Sequence, residues 1–68
     1  MNKVQMPQKV FEGIAAVRDS GLTNMLDRPM VARLAGRMGF EEAAEWMRTH
    51  PKEYAEAIFR GCEPQEAE

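Results

Sequence analysis

Residues 27–40, with the sequence DRPMVARLAGRMGF, decide the fold because they hold one complete helix with its start and stop signals. Asp27 is a good N-cap residue, and Pro29 is tolerated in the turn that follows. The apolar stripe between the signals has helical spacing and consists of Met30, Val31, Leu34, Ala35 and Met38. Gly39 with the apolar Phe40 behind it fits a Schellman motif. The stretch therefore predicts an amphipathic helix.

Similar signals on both sides of this helix predict further helices. A helix over about residues 8–20 has an apolar stripe and ends at Gly21, a common left-handed helix stop. A short helix begins near Glu41, and Thr49 is a plausible N-cap for the next one, which Gly61 closes. Since no segment has a strand pattern, the predicted fold is all-α, a compact orthogonal bundle of three to four helices.

The length of 68 residues allows one domain. We expect a disordered N-terminus over residues 1–6, a helical domain over 7–61 and an acidic disordered tail over 62–68. A lone cysteine, Cys62, excludes an intramolecular disulfide and favours a reducing compartment. No apolar run approaches the roughly 20 residues of a membrane span. A cytoplasmic protein without a membrane anchor is therefore expected.

The charge balance argues against a strongly basic nucleic-acid binder. The net charge is −2, from nine basic and eleven acidic residues. Residues 1–34 carry five basic and three acidic residues, whereas residues 35–68 carry four basic and eight acidic ones. This mild polarity lacks the basic footprint typical of proteins that bind nucleic acid.

The segment SGLTNMLD, residues 20–27, carries a resemblance to a known family, together with MGF at 38–40 and HPKEY at 50–54. The chain resembles a family of very small uncharacterised proteins found in phages, prophages and bacterial genomes. The resemblance covers about residues 10–60, with the pattern Ser-Gly-x-Thr-Asn-Met-x-Asp as its specific part. It implies a compact helical fold and a mobile-element context, and it supplies no activity or functional residues.

The polar residues of this segment have a structural interpretation of their own. Thr23, Asn24 and Asp27 are residue types that turn the chain and cap helices by bonding backbone N–H groups. We favour that interpretation, and a binding role for residues 20–27 stays open.

No catalytic set is visible in the sequence. His50 is the only histidine, and only scattered carboxylates could accompany it. Ser20 has no base nearby in sequence. Glu41, Glu42 and Glu45 lack the alternating ligands of a calcium loop and favour a solvated face that complements a helix dipole. We therefore predict a non-enzymatic protein with no cofactor and no metal.

Three aromatic residues lie off the central lines of their helical stripes, namely Phe11, Trp46 and Phe59. Exposed aromatic residues are enriched at interfaces, so these three are the candidate protein-interaction residues. The alternative is that they wrap around a small core, which must use every large side chain it has. The favoured function is a small interaction or accessory protein with an unidentified host or phage protein partner. Homodimerisation would supplement so small a core.

A DNA-binding regulator is the alternative function. The helix after Asp27 and the turn at Gly39 resemble the first part of a helix-turn-helix motif, and its arginine face would consist of Arg28, Arg33 and Arg37. The helix that follows begins with glutamates, which would meet phosphates of the same charge. Glu45 also stands where the motif usually has an apolar residue. These residues argue against nucleic acid as the partner.

Overall fold

The computed structural model describes residues 3–65, in which four helices follow one another between two short strands. The helices are α1 (Gln8–Ser20), α2 (Arg28–Arg37), α3 (Glu41–Thr49) and α4 (Pro51–Arg60). The strands are β1 (Val4–Met6) and β2 (Cys62–Pro64). The predicted all-α fold class is confirmed, and the one addition is a two-stranded sheet.

Both ends of α2 form as their residues predict. The Asp27 carboxylate accepts a hydrogen bond from the Met30 backbone N–H at 3.3 Å, which caps the start. At the other end, the Phe40 N–H donates to the Ala35 carbonyl at 2.8 Å, and Gly39 has a φ of 93°. This is the Schellman pattern, in which a glycine takes the positive φ that other residues avoid.

The junction of α3 and α4 differs from the prediction that Thr49 caps α4. Thr49 is the last residue of α3, and its Oγ1 donates back to the Glu45 carbonyl at 3.0 Å. His50 stands at the N-cap position instead, with φ −130° and ψ 59°. The prediction was wrong because a residue before a proline avoids the helical region, so the chain breaks at His50, directly before Pro51.

The two strands pair in parallel, with Val4 opposite Cys62 and Met6 opposite Pro64. The Val4 N–H donates to the Gly61 carbonyl at 3.1 Å. The Gln65 N–H donates to the Met6 carbonyl at 2.6 Å. The pair therefore joins the segment before α1 to the segment after α4.

The expected disorder is corrected for residues 4–6 and 62–64. Both segments are strands with paired backbones, and the Met6 side chain is only 1% exposed, among the core residues. Burial of this methionine together with the backbone pairing stabilises the ordered strand. The expectation for residues 1–2 and 66–68 falls outside the described residues.

Short side chains dominate the core. Its twelve buried residues are Met6, Val10, Ile14, Val17, Val31, Ala32, Ala35, Ala43, Ala44, Met47, Tyr54 and Ala57. Helices α1 and α3 pack closely at Gly13 of α1, where an added Cβ would overlap the Ala43 Cβ and lie 2.9 Å from the Phe40 Cβ. Gly13 therefore permits the close approach of α1 and α3.

Candidate anion-binding groove

Arginines from two helices line one open groove beside the contact between α2 and α3. Its volume is about 490 Å³. The residues that line it are Arg28, Pro29, Ala32, Arg33, Gly36 and Arg37 from α2, with Glu41 and Arg48 from α3. We call this surface the arginine groove. It gathers four of the six arginines in the chain, since only Arg18 and Arg60 lie elsewhere.

Helical spacing explains how the groove forms. Ala32 and Gly36 lie one turn apart and face α3. Ala32 is 2% exposed, and a Cβ added to Gly36 would lie 3.8 Å from the Ala44 Cβ. Arg33 and Arg37 are the next residues along α2, also one turn apart, and both are exposed. Small residues therefore make the floor, and long cationic side chains stand at its edge.

Arg28 is held in place at one end of the groove. Its Nη1 donates to the Met47 carbonyl at 3.0 Å, and the side chain is half-buried. Met47 lies in the last turn of α3, where backbone carbonyls have no partner within the helix. Arg28 therefore stabilises the end of α3 while its guanidinium lines the arginine groove.

The positive charges of the groove are poorly neutralised within the described part of the chain. The Arg48 Nη1 lies 3.8 Å from the Glu45 Oε1, and both side chains are more than half exposed. Such a pair contributes little to stability. Within residues 3–65, Arg33 and Arg37 form no ion pair. Four guanidinium groups thus share the groove with one carboxylate, that of Glu41, in a chain of net charge −2.

The structure brings together Arg28, Arg33 and Arg37, the three residues of the sequence-based arginine face. Sequence reasoning missed Arg48, which belongs to the next helix. The signal that could have found it is its position two helical turns after Glu41, on the same side of α3. Guanidinium forks bind phosphate and carboxylate groups through paired hydrogen bonds, so the arrangement suits an anion with several charged groups.

The three aromatic candidates do not form one surface. Phe11 and Trp46 are half-buried and pack against the core. The Trp46 ring also stacks on the His50 ring, with centroids 4.8 Å apart and planes 6° apart. Phe59 alone stands in solvent, with 79% of its surface exposed. Of the three, only Phe59 offers a whole aromatic ring to a partner.

His50 is committed to local contacts. Its Nδ1 lies 3.0 Å from the Trp46 carbonyl and 2.8 Å from the Thr49 Oγ1. Both neighbours belong to the end of α3, so this ring nitrogen is surrounded by local partners. The described residues also contain no group of three or more histidines, cysteines or carboxylates that could hold a metal ion.

The segment 20–27 uses its polar atoms to shape the connection between α1 and α2. The Ser20 hydroxyl donates to the Val17 carbonyl at 2.6 Å and accepts from the Leu22 N–H at 3.2 Å. The Asn24 Oδ1 accepts from the Leu26 N–H at 2.8 Å, which is an Asx turn. These bonds match the structural interpretation of the segment.

Tyr54 holds this segment against α4. Its hydroxyl donates to the Met25 carbonyl at 2.6 Å. Burial of the ring raises the pKa of Tyr54 to about 12, and the Cys62 thiol nearby adds to the rise. Burial also raises the pKa of Cys62, which packs against the core in β2. A raised pKa keeps the thiol protonated and therefore weakly nucleophilic.

A second, mostly apolar crevice of about 360 Å³ lies between this segment and the end of α4. Met25, Ile58 and Cys62 are among the residues that line it. Leu22 and Leu26, on the same connecting segment, are 66% and 62% exposed. The exposure of these leucines was not predicted from the sequence, because leucine is usually a core residue.

Residues 6–62 match the model of a protein family described as Domain of unknown function (DUF5049). The chain belongs to this family. Membership agrees with the sequence-based resemblance to small uncharacterised proteins. No curated protein and no solved structure matches the chain.

The DUF5049 match contains both features described above. It begins at Met6, the buried residue of β1, and ends at Cys62, the first residue of β2. The arginine groove and the segment 20–27 both lie inside it. Within residues 3–65, none of the helices has the length and apolar character that a membrane crossing requires.

Proposed function

We propose that this DUF5049 protein is a non-enzymatic DNA-binding protein whose arginine groove holds the phosphate backbone of a duplex. The observation that supports the proposal is that four arginines line one groove together with small residues, and that one glutamate is the carboxylate lining it among the described residues. Arginine is the residue type best suited to planar, bidentate recognition of phosphate. Bound phosphates would also relieve the repulsion among the clustered cations.

The geometry favours the backbone over the bases as the ligand. From Arg28 to Arg37, α2 rises about 14 Å, which is about four base-pair steps of duplex. Glu41 and Glu42 open α3 and are exposed, so this helix would be repelled from the major groove. No aromatic side chain lines the arginine groove, so stacking on unpaired bases has no platform there. Binding should therefore depend little on sequence.

Fluorescence anisotropy with a short labelled duplex tests the proposal. If four phosphates are contacted, affinity should fall about 150-fold between about 50 and 200 mM salt. The double variant Arg33→Glu/Arg37→Glu removes two charge-assisted contacts of about 1.5–3 kcal/mol each, so binding should weaken by about 100-fold or more.

A matched control uses two exposed cations of α4, in the variant Lys52→Glu/Arg60→Glu. It changes the net charge by the same amount and lies outside the arginine groove. The control should keep most of the DNA affinity, and both variants should melt close to the wild type. The proposal fails if the wild type does not bind DNA at low salt, or if the control loses as much affinity as the groove variant.

A protein-interaction role is the second candidate function. It is supported by the exposed Phe59, since aromatic residues are enriched at interfaces, and by the exposed apolar surface of Leu22 and Leu26. The partner would be a host or phage protein in the cytoplasm, consistent with the resemblance to mobile-element proteins. Phe59→Ser is the better test than Trp46→Ala, because the Trp46 ring packs on the core and on His50. A partner captured by the wild type should be lost with Phe59→Ser and kept with Arg33→Glu/Arg37→Glu.

A further inference from the structure

We infer that Glu41 sets the affinity of the arginine groove by competing with the bound anion, an inference that rests on the proposed function. Among residues 3–65, Glu41 is the only carboxylate that lines this groove. It is the first residue of α3 and is exposed. Its side chain therefore places a negative charge where the proposed phosphate backbone would pass.

The carboxylate gives the groove two unequal ends. At one end, Arg28 is fixed on the Met47 carbonyl, and Arg48 follows Met47 directly in α3. Glu41 lies about 10 Å away along α3, at the end of the groove next to the C-terminal turn of α2 and Arg37. The carboxylate that pairs with Arg48, that of Glu45, does not line the groove, so a phosphate near Arg28 and Arg48 meets no groove-lining carboxylate among the described residues. A phosphate near Arg37 meets Glu41.

No internal ion pair neutralises this carboxylate in the described part of the chain. Glu41 forms no salt bridge there, and neither does Arg37. The Glu41 charge is therefore still present when a phosphate approaches. Like charges repel one another even when both are exposed to water, so this carboxylate weakens phosphate binding several-fold. Glu41 thus keeps binding weaker and less salt-sensitive than four arginines alone would make it.

The neighbouring glutamate provides a matched control. Glu42 also lies in the first turn of α3, so both carboxylates interact with the helix dipole and stabilise α3 in the same way. Both glutamates line a second groove, with Lys9 and Glu12 of α1, but only Glu41 also lines the arginine groove. Glu41→Gln and Glu42→Gln remove the same charge from the same helix turn and should shift the melting temperature equally.

The closing experiment measures duplex affinity for the wild type, Glu41→Gln and Glu42→Gln across a salt series. Glu41→Gln should bind about threefold to fivefold more tightly at low salt, and the gain should shrink as salt screens the charges. Glu42→Gln should gain clearly less. Equal affinities of the two variants overturn the role of Glu41 while leaving the proposed function intact, provided that Arg33→Glu/Arg37→Glu still loses binding. A wild type that binds no DNA overturns both.

Discussion

The segment 20–27 and the arginine groove are both rich in polar groups, but they use them differently. In the segment, Ser20, Asn24 and Asp27 each bond to the backbone of a residue two or three positions away. In the groove, Arg33 and Arg37 make no ion pair with the described residues. Polar groups with internal partners specify a local conformation, whereas polar groups without them remain available to a ligand.

Arg28 belongs to both categories. Its bond to the Met47 carbonyl supports the end of α3, and its guanidinium also lines the arginine groove. A substitution at Arg28 would therefore change stability and binding together. Arg33 and Arg37 separate the two effects better, because their side chains make no ion pair that supports the fold within residues 3–65. Reversing their charge, in Arg33→Glu/Arg37→Glu, should produce the largest change in DNA affinity of any substitution considered.

Gly13→Ala should have the largest effect on stability. It should remove the difference between the segment 20–27 and the arginine groove, because it disturbs the packing that supports both. The added Cβ would overlap Ala43, and α3 carries two residues of the groove. Overpacking of this kind costs about 1–3 kcal/mol. Thermal and urea unfolding followed by circular dichroism measure it.

Gly36→Ala is the control for this prediction. Its Cβ would lie 3.8 Å from the Ala44 Cβ, an ordinary contact, so the higher helix propensity of alanine should stabilise the fold by about 0.5–1 kcal/mol. An unchanged or raised stability of Gly13→Ala would contradict the close approach of α1 and α3.

Tyr54→Phe should sharpen the comparison by weakening only the segment 20–27. The Met25 carbonyl loses its hydroxyl donor, which should cost about 1–2 kcal/mol of unfolding free energy. DNA affinity measured well below the melting temperature should stay unchanged, because Tyr54 does not line the arginine groove. A matching loss of DNA affinity would show that the two regions are coupled.

The same variant tests the pKa of Tyr54. The folded pKa of about 12 lies above the usual value of 10.0, so the unfolded chain releases the phenolic proton first as pH rises. The stability from the neutral phenol is complete below pH 10 and is lost as pH approaches 12. Between these pH values the melting temperature of the wild type should fall more steeply than that of Tyr54→Phe. Parallel pH profiles would contradict the assignment.

Asp27 substitutions should give the smallest effect. Asp27→Ala removes the bond to the Met30 N–H and should cost about 1 kcal/mol, whereas Asp27→Asn keeps a capping oxygen and should cost less. Both variants lose the same charge, so any change in DNA affinity should be equal for the two. Equal stabilities would mean that the cap contributes nothing to α2.

Local signals in the sequence were sufficient for the helices and for part of the candidate site. Asp27 and Gly39 mark the ends of α2 because caps act on backbone groups within a few residues. Arg33 and Arg37 share a face because they are one helical turn apart. The prediction that Thr49 caps α4 was wrong because a proline restricts the backbone of the residue directly before it. Pro51 therefore places the break between α3 and α4 at His50.

The sequence by itself thus determined the helices and three of the four groove arginines. The predicted apolar stripe of α2 was wrong in part, because Met30 and Met38 are exposed and Ala32 is buried. Tertiary structure alone decided that Arg48 joins the arginine groove, that Phe59 is exposed while Trp46 packs on the core, and that Met6 is buried. It also decided the pairing of β1 with β2. A three-residue strand is too short to show a strand pattern in the sequence. Each strand also pairs with a segment from the other end of the domain, which lies next to it only after the helices have packed.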